Sequence, residues 1–136
     1  MIQKIRSALG GSEFGKTLGV LGLTFKPETD DMREAPAMSI LPPLIEKGAM
    51  VRAHDPQGMS EAQVVLPRKV HYCEGAYEVC EGADALILLT EWDIYCGLDL
   101  EKLRLIMHGN VFIDLRNVYE RKVVERYGFR YHGVGR

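Results

Sequence analysis

What this chain is short of narrows it first. Its three cysteines, Cys73, Cys80 and Cys96, are an odd number without a C-x-x-C pair. That spacing argues against a disulfide framework and a structural metal site, and leaves three reduced thiols acting as small apolar residues. None has an adjacent histidine or a cationic loop to lower its pKa, so none reads as a nucleophile. No apolar run approaches the length of a membrane span, and residues 1–10 lack the apolar centre of a signal peptide, so we expect a cytoplasmic protein with no membrane partner. The 17 basic residues are scattered and the net charge is −2, which gives no stripe for nucleic acid. Any anion must therefore be held locally. There is no internal repeat, no low-complexity linker and no Walker loop.

What is there is ordinary for a globular domain: 136 residues, 46% hydrophobic and 26% charged. Six β-rich runs alternate with helical patterns. The runs are Thr17 to Leu21, Met50 to His54, Val70 to Tyr72, Ala85 to Leu89, Val111 to Ile113 and Phe129 to Tyr131; the helical stretches are Pro36 to Lys47, Ser60 to Val65, Ala76 to Cys80, Leu100 to Met107 and Glu120 to Tyr127. Such alternation predicts an α/β fold, a Rossmann-like doubly wound parallel sheet in three layers; in a sheet of order 3-2-1-4-5-6 the first and fourth strands flank the switch point. The run Ala85-Leu86-Ile87-Leu88-Leu89 lacks alternation, as a central strand covered on both faces should. Pro36 suits the first turn of its helix, Asp99 can cap the helix at Leu100, and Gly48 and Gly109 follow helix ends. Pro42-Pro43 should kink or shorten the helix that contains them, and His54 to Leu66 reads as loop-like and mobile. Ahead of the first strand, Ile2, Ile5, Ala8 and Leu9 share a helical face that ends at Gly10-Gly11-Ser12. This helix has nothing of its own to cover, so we expect residues 1–14 to be the end of a linking helix and 15–136 to be the domain.

The chemistry concentrates after the first strand. Gly22-Leu23-Thr24-Phe25-Lys26-Pro27 puts threonine and proline where the G-x-G-x-x-G dinucleotide fingerprint needs bare backbone. The loop is also too long for a helix N-terminus to close on a diphosphate. Asp55, where a ribose-binding acid would lie, reads as a turn residue of Asp55-Pro56. The loop offers side chains instead: Lys26 as a point charge and Arg33 as a planar fork, both suited to an anion. The alternative is that both pair with Glu28, Asp30, Asp31 and Glu34 on a solvated surface. Strands four and five run into Thr90-Glu91-Trp92-Asp93 and Asp114-Leu115-Arg116-Asn117 at the same sheet edge. Lys26, Trp92 and Arg116 should then converge on one crevice, fit for a negatively charged, partly flat ligand such as a nucleoside diphosphate. Trp92 taken alone is more often packing, and Asp114 more often a structural acid or a partner for Arg116 than a catalyst.

The stretch Gly22 to Ala37, with Asp55-Pro56, Thr90-Glu91-Trp92 and Asp114-Leu115-Arg116-Asn117, resembles the C-terminal, UDP-binding domain of the UDP-glucose 6-dehydrogenase family, within the nucleotide-sugar dehydrogenases. The resemblance implies a part of an NAD-dependent enzyme that oxidises UDP-glucose to UDP-glucuronate in two steps. It implies that NAD is bound mainly by a preceding Rossmann domain, that the catalytic cysteine and lysine also lie outside this chain, and that the full-length enzyme is a homodimer or larger assembly. By the same resemblance, Phe25, Lys26 and Arg116 contact substrate and Arg33 reaches toward the cofactor. Two other readings stay open: the same domain of a GDP-mannose or UDP-N-acetylhexosamine dehydrogenase, and a stand-alone nucleotide-binding or assembly module.

Overall fold

The computed structural model describes residues 2–135. Six strands form one parallel sheet in the order β3-β2-β1-β4-β5-β6. They are β1 (Thr17–Leu21), β2 (Met50–His54), β3 (His71–Tyr72), β4 (Ala85–Leu88), β5 (Val111–Asp114) and β6 (Arg130–Gly133). The helices are α1 (Ile2–Ala8), α2 (Pro36–Glu46), α3 (Met59–Val65), α4 (Ala76–Cys80), α5 (Asp93–Cys96), α6 (Leu100–Ile106) and α7 (Arg121–Arg126). This is the strand order in which the first and fourth strands flank the switch point, with boundaries within two residues of those predicted. The one-turn α5 was not anticipated. Its four residues are too few to show a period of 3.6.

The sheet separates two apolar cores. One gathers Ile5, Leu18, Val20, Leu41, Leu44, Val51, Ala85, Ile87 and Ile113 beneath α1, α2 and α3. The other gathers Leu21, Val79, Leu86, Leu88, Tyr95, Leu103, Phe112 and Val124 beneath α4 to α7. Along β4 successive side chains point alternately to the two sides, Ala85 and Ile87 to the first, Leu86 and Leu88 to the second, and all four are buried. A strand apolar at every position is what a sheet covered on both faces requires.

Two sequence readings are corrected here. Helix α1 does have something to cover: Ile5 is fully buried and Ala8 nearly so, both within the first core, and Leu9 packs against it. Its end is built by glycine. Gly11 N–H donates to the Arg6 carbonyl at 2.8 Å and Gly10 N–H to Ser7 at 3.1 Å, with Gly10 at φ +85°. That paired reversal satisfies the last free carbonyls of the helix. Helix α2 likewise runs unbroken through Pro42 and Pro43. The prolines leave the carbonyls of Met38 and Ser39 without their usual amide partners, but these two residues face solvent, where water takes over. Ile40, Leu41, Leu44 and Ile45 meanwhile hold the opposite side of the helix on the core.

If α1 belongs to this fold, Ile5→Ala should lower the unfolding free energy by about 2 to 4 kcal/mol, read as a shift of the urea midpoint without a change in slope.

Candidate functional site

The sheet reverses its winding between β1 and β4, and the loops leaving β1, β2, β4 and β5 emerge at their carboxyl ends. The centre of this edge is a buried carboxylate. Asp55 follows β2 with no solvent exposure. Its Oδ2 accepts the N–H groups of Leu23 and Thr24 at 2.8 and 3.0 Å, and its Oδ1 accepts those of Gln57 and Gly58 at 3.0 and 2.7 Å. Burying a carboxylate is tolerable only when donors replace its water, and backbone amides do so here on both oxygens. The turn reading of Asp55 holds for the half that faces Gln57 and Gly58. The other half, a clamp on the loop after β1, had no signal in the sequence.

Thr24 extends the clamp. Its hydroxyl lies 3.1 Å from Asp55 Oδ2 and 3.1 Å from the Lys26 carbonyl, either of which it can serve as donor, and Trp92 Nε1 donates to it at 3.4 Å. The Thr90 hydroxyl donates to the Thr24 carbonyl at 2.8 Å. Gly22 makes this closeness possible: at φ +92°, a Cβ there would lie 2.5 Å from Thr90 Cβ and 2.6 Å from its amide nitrogen. No other residue fits that conformation and that gap. Trp92 is thus buried beneath the loop and serves as its floor.

Beyond Thr24 the loop rises to the surface. Phe25 and Lys26 are exposed at its crest, and Phe25 N–H donates to the Asp31 carbonyl at 3.0 Å, closing the excursion. Met32 and Ala35 drop back into the first core. Glu28 and Glu34 hold φ of +64° and +58°, backbone that a side chain other than glycine adopts only at a cost. Arg33 pairs with Asp31 through Nε and Nη2, each at 3.1 Å, while its side chain stays 90% exposed. The guanidinium's hydrogen bonds hold the Asp31 carboxyl below the usual carboxylate range. For Arg33 the surface-pair reading therefore describes this structure. Among the described residues none forms an ion pair with the Lys26 ammonium, which acts on Asp31 only at longer range.

Arg116 sits on the loop after β5. Asp114, fully buried, accepts from Arg116 N–H at 3.2 Å, from Tyr119 N–H at 2.8 Å and from the Tyr131 hydroxyl at 2.9 Å, which makes it the structural acid the sequence suggested. Asn117, at φ +53°, exchanges two 2.8 Å hydrogen bonds with the backbone of Val134. The Arg116 side chain reaches to the β4 loop, where Nε and Nη2 each lie 2.8 Å from Glu91 Oε2. The loops after β1, β4 and β5 are thus joined in one network, with Lys26 and Arg116 at its two ends. A hollow of about 590 Å³ opens on the other flank of the β1 loop, lined by Arg33, Met38, Glu61 and Val64 among others, and neither Lys26 nor Arg116 lines it.

Below Asp55, His54 is buried with Nδ1 at 2.5 Å from the Tyr95 hydroxyl, which itself lies 2.9 Å from the His54 carbonyl. The hydroxyl has a single hydrogen: when it goes to that carbonyl the ring donates from Nδ1, and when it goes to Nδ1 the ring accepts. Burial lowers its pKa against a smaller upward pull from Asp55, and burial raises that of Tyr95. The cysteines are free: Cys73 and Cys80 are buried, with the Cys80 thiol pushed up to about 12 by burial, and the exposed Cys96 thiol is also raised. No helix among the described residues is long and apolar enough to cross a membrane.

Residues 19–121 match the model of the UDP-glucose/GDP-mannose dehydrogenase family, UDP binding domain. A UDP-glucose 6-dehydrogenase of Rhizobium meliloti is 40% identical over all 136 residues, which are 31% of that protein. Among solved structures, a UDP-glucose dehydrogenase from Pyrobaculum islandicum superposes on 97% of the chain with a TM-score of 0.79 at 36% identity, using 28% of its own length. An NDP-N-acetyl-D-galactosaminuronic acid dehydrogenase from Methanosarcina mazei reaches a TM-score of 0.83 at 30% identity over 98% of the chain and 28% of its own. The chain spans about 30% of the length of these relatives.

Asp55→Asn replaces two acceptors by one acceptor and a donor that faces N–H groups. It should cost about 2 to 4 kcal/mol of stability and speed amide exchange at Leu23 and Thr24 before exchange elsewhere in the sheet. A second expectation concerns pH. Because the native pKa of His54 is depressed, the unfolded chain takes up a proton first as pH falls below about 6.5, so stability is intact above that value and declines through the acid side. Unfolding midpoints between about pH 7.5 and about pH 5.5 should fall, and His54→Gln should flatten part of the slope, His132 carrying a share since burial lowers its pKa too.

Proposed function

Because the chain belongs to the UDP-glucose/GDP-mannose dehydrogenase family, as its UDP binding domain, we propose that it is the C-terminal, nucleotide-sugar-binding domain of an NAD-dependent UDP-glucose 6-dehydrogenase. The observation that carries the reading is the joined edge of the sheet. A rigid, buried base of Asp55, Thr24, Thr90 and Trp92 supports two exposed cations, Lys26 and Arg116, on loops from different strands. Two cations on loops from different strands of one sheet edge suit a doubly charged diphosphate, and the buried base limits what must reorder when such a ligand arrives. Phe25 supplies the apolar contact beside Lys26, and Arg116 the bidentate one.

The residues present do not fit a dinucleotide at this edge. Asp55, at the ribose-binding position of such sites, has both oxygens filled by backbone amides, and the loop after β1 carries side chains where a pyrophosphate needs open backbone. On the family resemblance NAD and the reacting cysteine belong to the part of the enzyme outside this chain, and Arg33, 90% exposed and paired here with Asp31, would leave that pair to reach the cofactor. Residues 1–14 then form the junction, with α1 already seated on the domain. In that enzyme, assembled as a homodimer in the cytoplasm, the domain binds and orients UDP-glucose while the oxidation occurs elsewhere. The similarity to the Methanosarcina mazei enzyme favours an N-acetylhexosamine nucleotide as the second candidate.

Calorimetric titration of the chain with UDP, UDP-glucose and GDP tests the reading. UDP and UDP-glucose should bind and GDP should bind at least about tenfold more weakly; GDP preferred over UDP would overturn it. Lys26→Ala and Arg116→Ala should each weaken UDP about tenfold, with unfolding midpoints unchanged. Arg33→Ala should leave UDP binding as it is.

A further inference from the structure

Arg116 is held in a way that a surface ion pair does not explain. Exposed arginines usually sample many rotamers, and a solvated pair contributes little. Here both partners are mounted on fixed backbone. Glu91 lies between Thr90 and Trp92, both buried and both bonded to Thr24. Arg116 lies between the Asp114 carboxylate, which takes its own N–H, and Asn117, which is locked to Val134 by two hydrogen bonds. The two side chains are each about one-third exposed, 35% for Arg116 and 34% for Glu91, and their contact spans loops 25 residues apart in sequence. The contact itself is one-sided. Glu91 engages the Nε and Nη2 edge of the guanidinium through a single oxygen, Oε2. Both N–H groups of Nη1, and the outer one of Nη2, remain free of it, and these are the donors that a fork presents end-on to two oxygens of an anion.

We propose that Glu91 is a positioning residue for Arg116: it fixes the guanidinium by its side edge so that the end edge is aimed, before any ligand arrives, at the diphosphate of the nucleotide sugar. The inference rests on the nucleotide reading of this edge and adds a residue to it. Binding then avoids the entropy of freezing a long side chain, and because the two use different edges of the same cation Glu91 does not take the ligand's hydrogen-bond donors; the gain from positioning exceeds the repulsion between the two anions. An opposite role is physically conceivable, in which Glu91 occupies the arginine and must be displaced. The two roles predict opposite signs.

The test is a double-mutant cycle on the whole chain, with UDP as the probe in calorimetry. Glu91→Ala should raise the Kd for UDP about tenfold and Glu91→Gln, which keeps an acceptor for Nε–H, only about threefold. In an Arg116→Ala background Glu91→Ala should have no further effect, since it acts through the arginine. NMR gives a readout that does not depend on binding: the Arg116 Nε–H signal should be sharp and resolved in the parent and in Glu91→Gln, and broadened by exchange in Glu91→Ala. Tighter UDP binding by Glu91→Ala would overturn the proposal in favour of a displaced blocker, and an additive cycle would overturn it in favour of a general effect on the fold. If Arg116 is ordered through Glu91 but the parent binds neither UDP nor UDP-glucose, the nucleotide reading fails and the positioning role for a diphosphate fails with it. If the parent binds and Glu91→Ala binds equally well, the positioning role fails alone.

Discussion

The carboxylate of Asp55 is the constraint on which the ligand-facing edge depends. A single buried charge takes the amides of Leu23, Thr24, Gln57 and Gly58, so the chain leaving β1 and the chain leaving β2 cannot move independently. The carboxylate is compensated mainly by backbone donors, with the Thr24 hydroxyl beside them, an arrangement that fixes geometry more strictly than a side-chain partner alone with its own rotamers could. Thr24, held by that carboxylate, in turn receives Trp92 and gives its carbonyl to Thr90, which carries the constraint across the switch point to β4. Glu91 carries it to β5 through Arg116. One desolvated acid thus links four loops, those after β1, β2, β4 and β5.

The molecule divides its polar groups by depth along this edge. Asp55, Asp114, Thr24 and Thr90 are fully buried and fully engaged, and their work is to hold backbone. Lys26, Arg33 and Phe25 lie above them in solvent, where a ligand can reach. The crest residues cost the fold little, and the two left-handed glutamates, Glu28 and Glu34, show where the loop spends stability on its shape. A segment with a rigid root and a lightly held crest can bind and release a ligand without disturbing the cores on either side of the sheet.

Much of this was legible beforehand. Alternating runs and the unbroken apolar stretch at Ala85–Leu88 predicted the doubly wound parallel sheet, because the period of a strand and the demands of burial on both faces are written locally; its order, which matches the one assumed, is a property of the assembled chain. Helix α2 was placed correctly at Pro36 and misjudged at Pro42-Pro43, since which side of the helix faces water is settled only when it packs. Helix α1 looked purposeless for a similar reason: the surface that Ile5 covers is made by other segments. The strings around Lys26, Thr90-Glu91-Trp92 and Arg116 marked the edge, and the pairing of Glu91 with Arg116 lay inside a recognised stretch without being visible in it.

By itself the sequence determined the class of fold, the three loops that gather at one edge and the absence of a dinucleotide fingerprint, because each follows from residue types within short reach of one another. Only the tertiary structure decided that Asp55 clamps the loop after β1, that Trp92 is floor and not wall, and that Arg116 is held by Glu91 from a neighbouring loop. Those outcomes turn on desolvation and on contacts between residues 25 or more positions apart, and neither burial nor long-range distance is encoded at the position it acts upon.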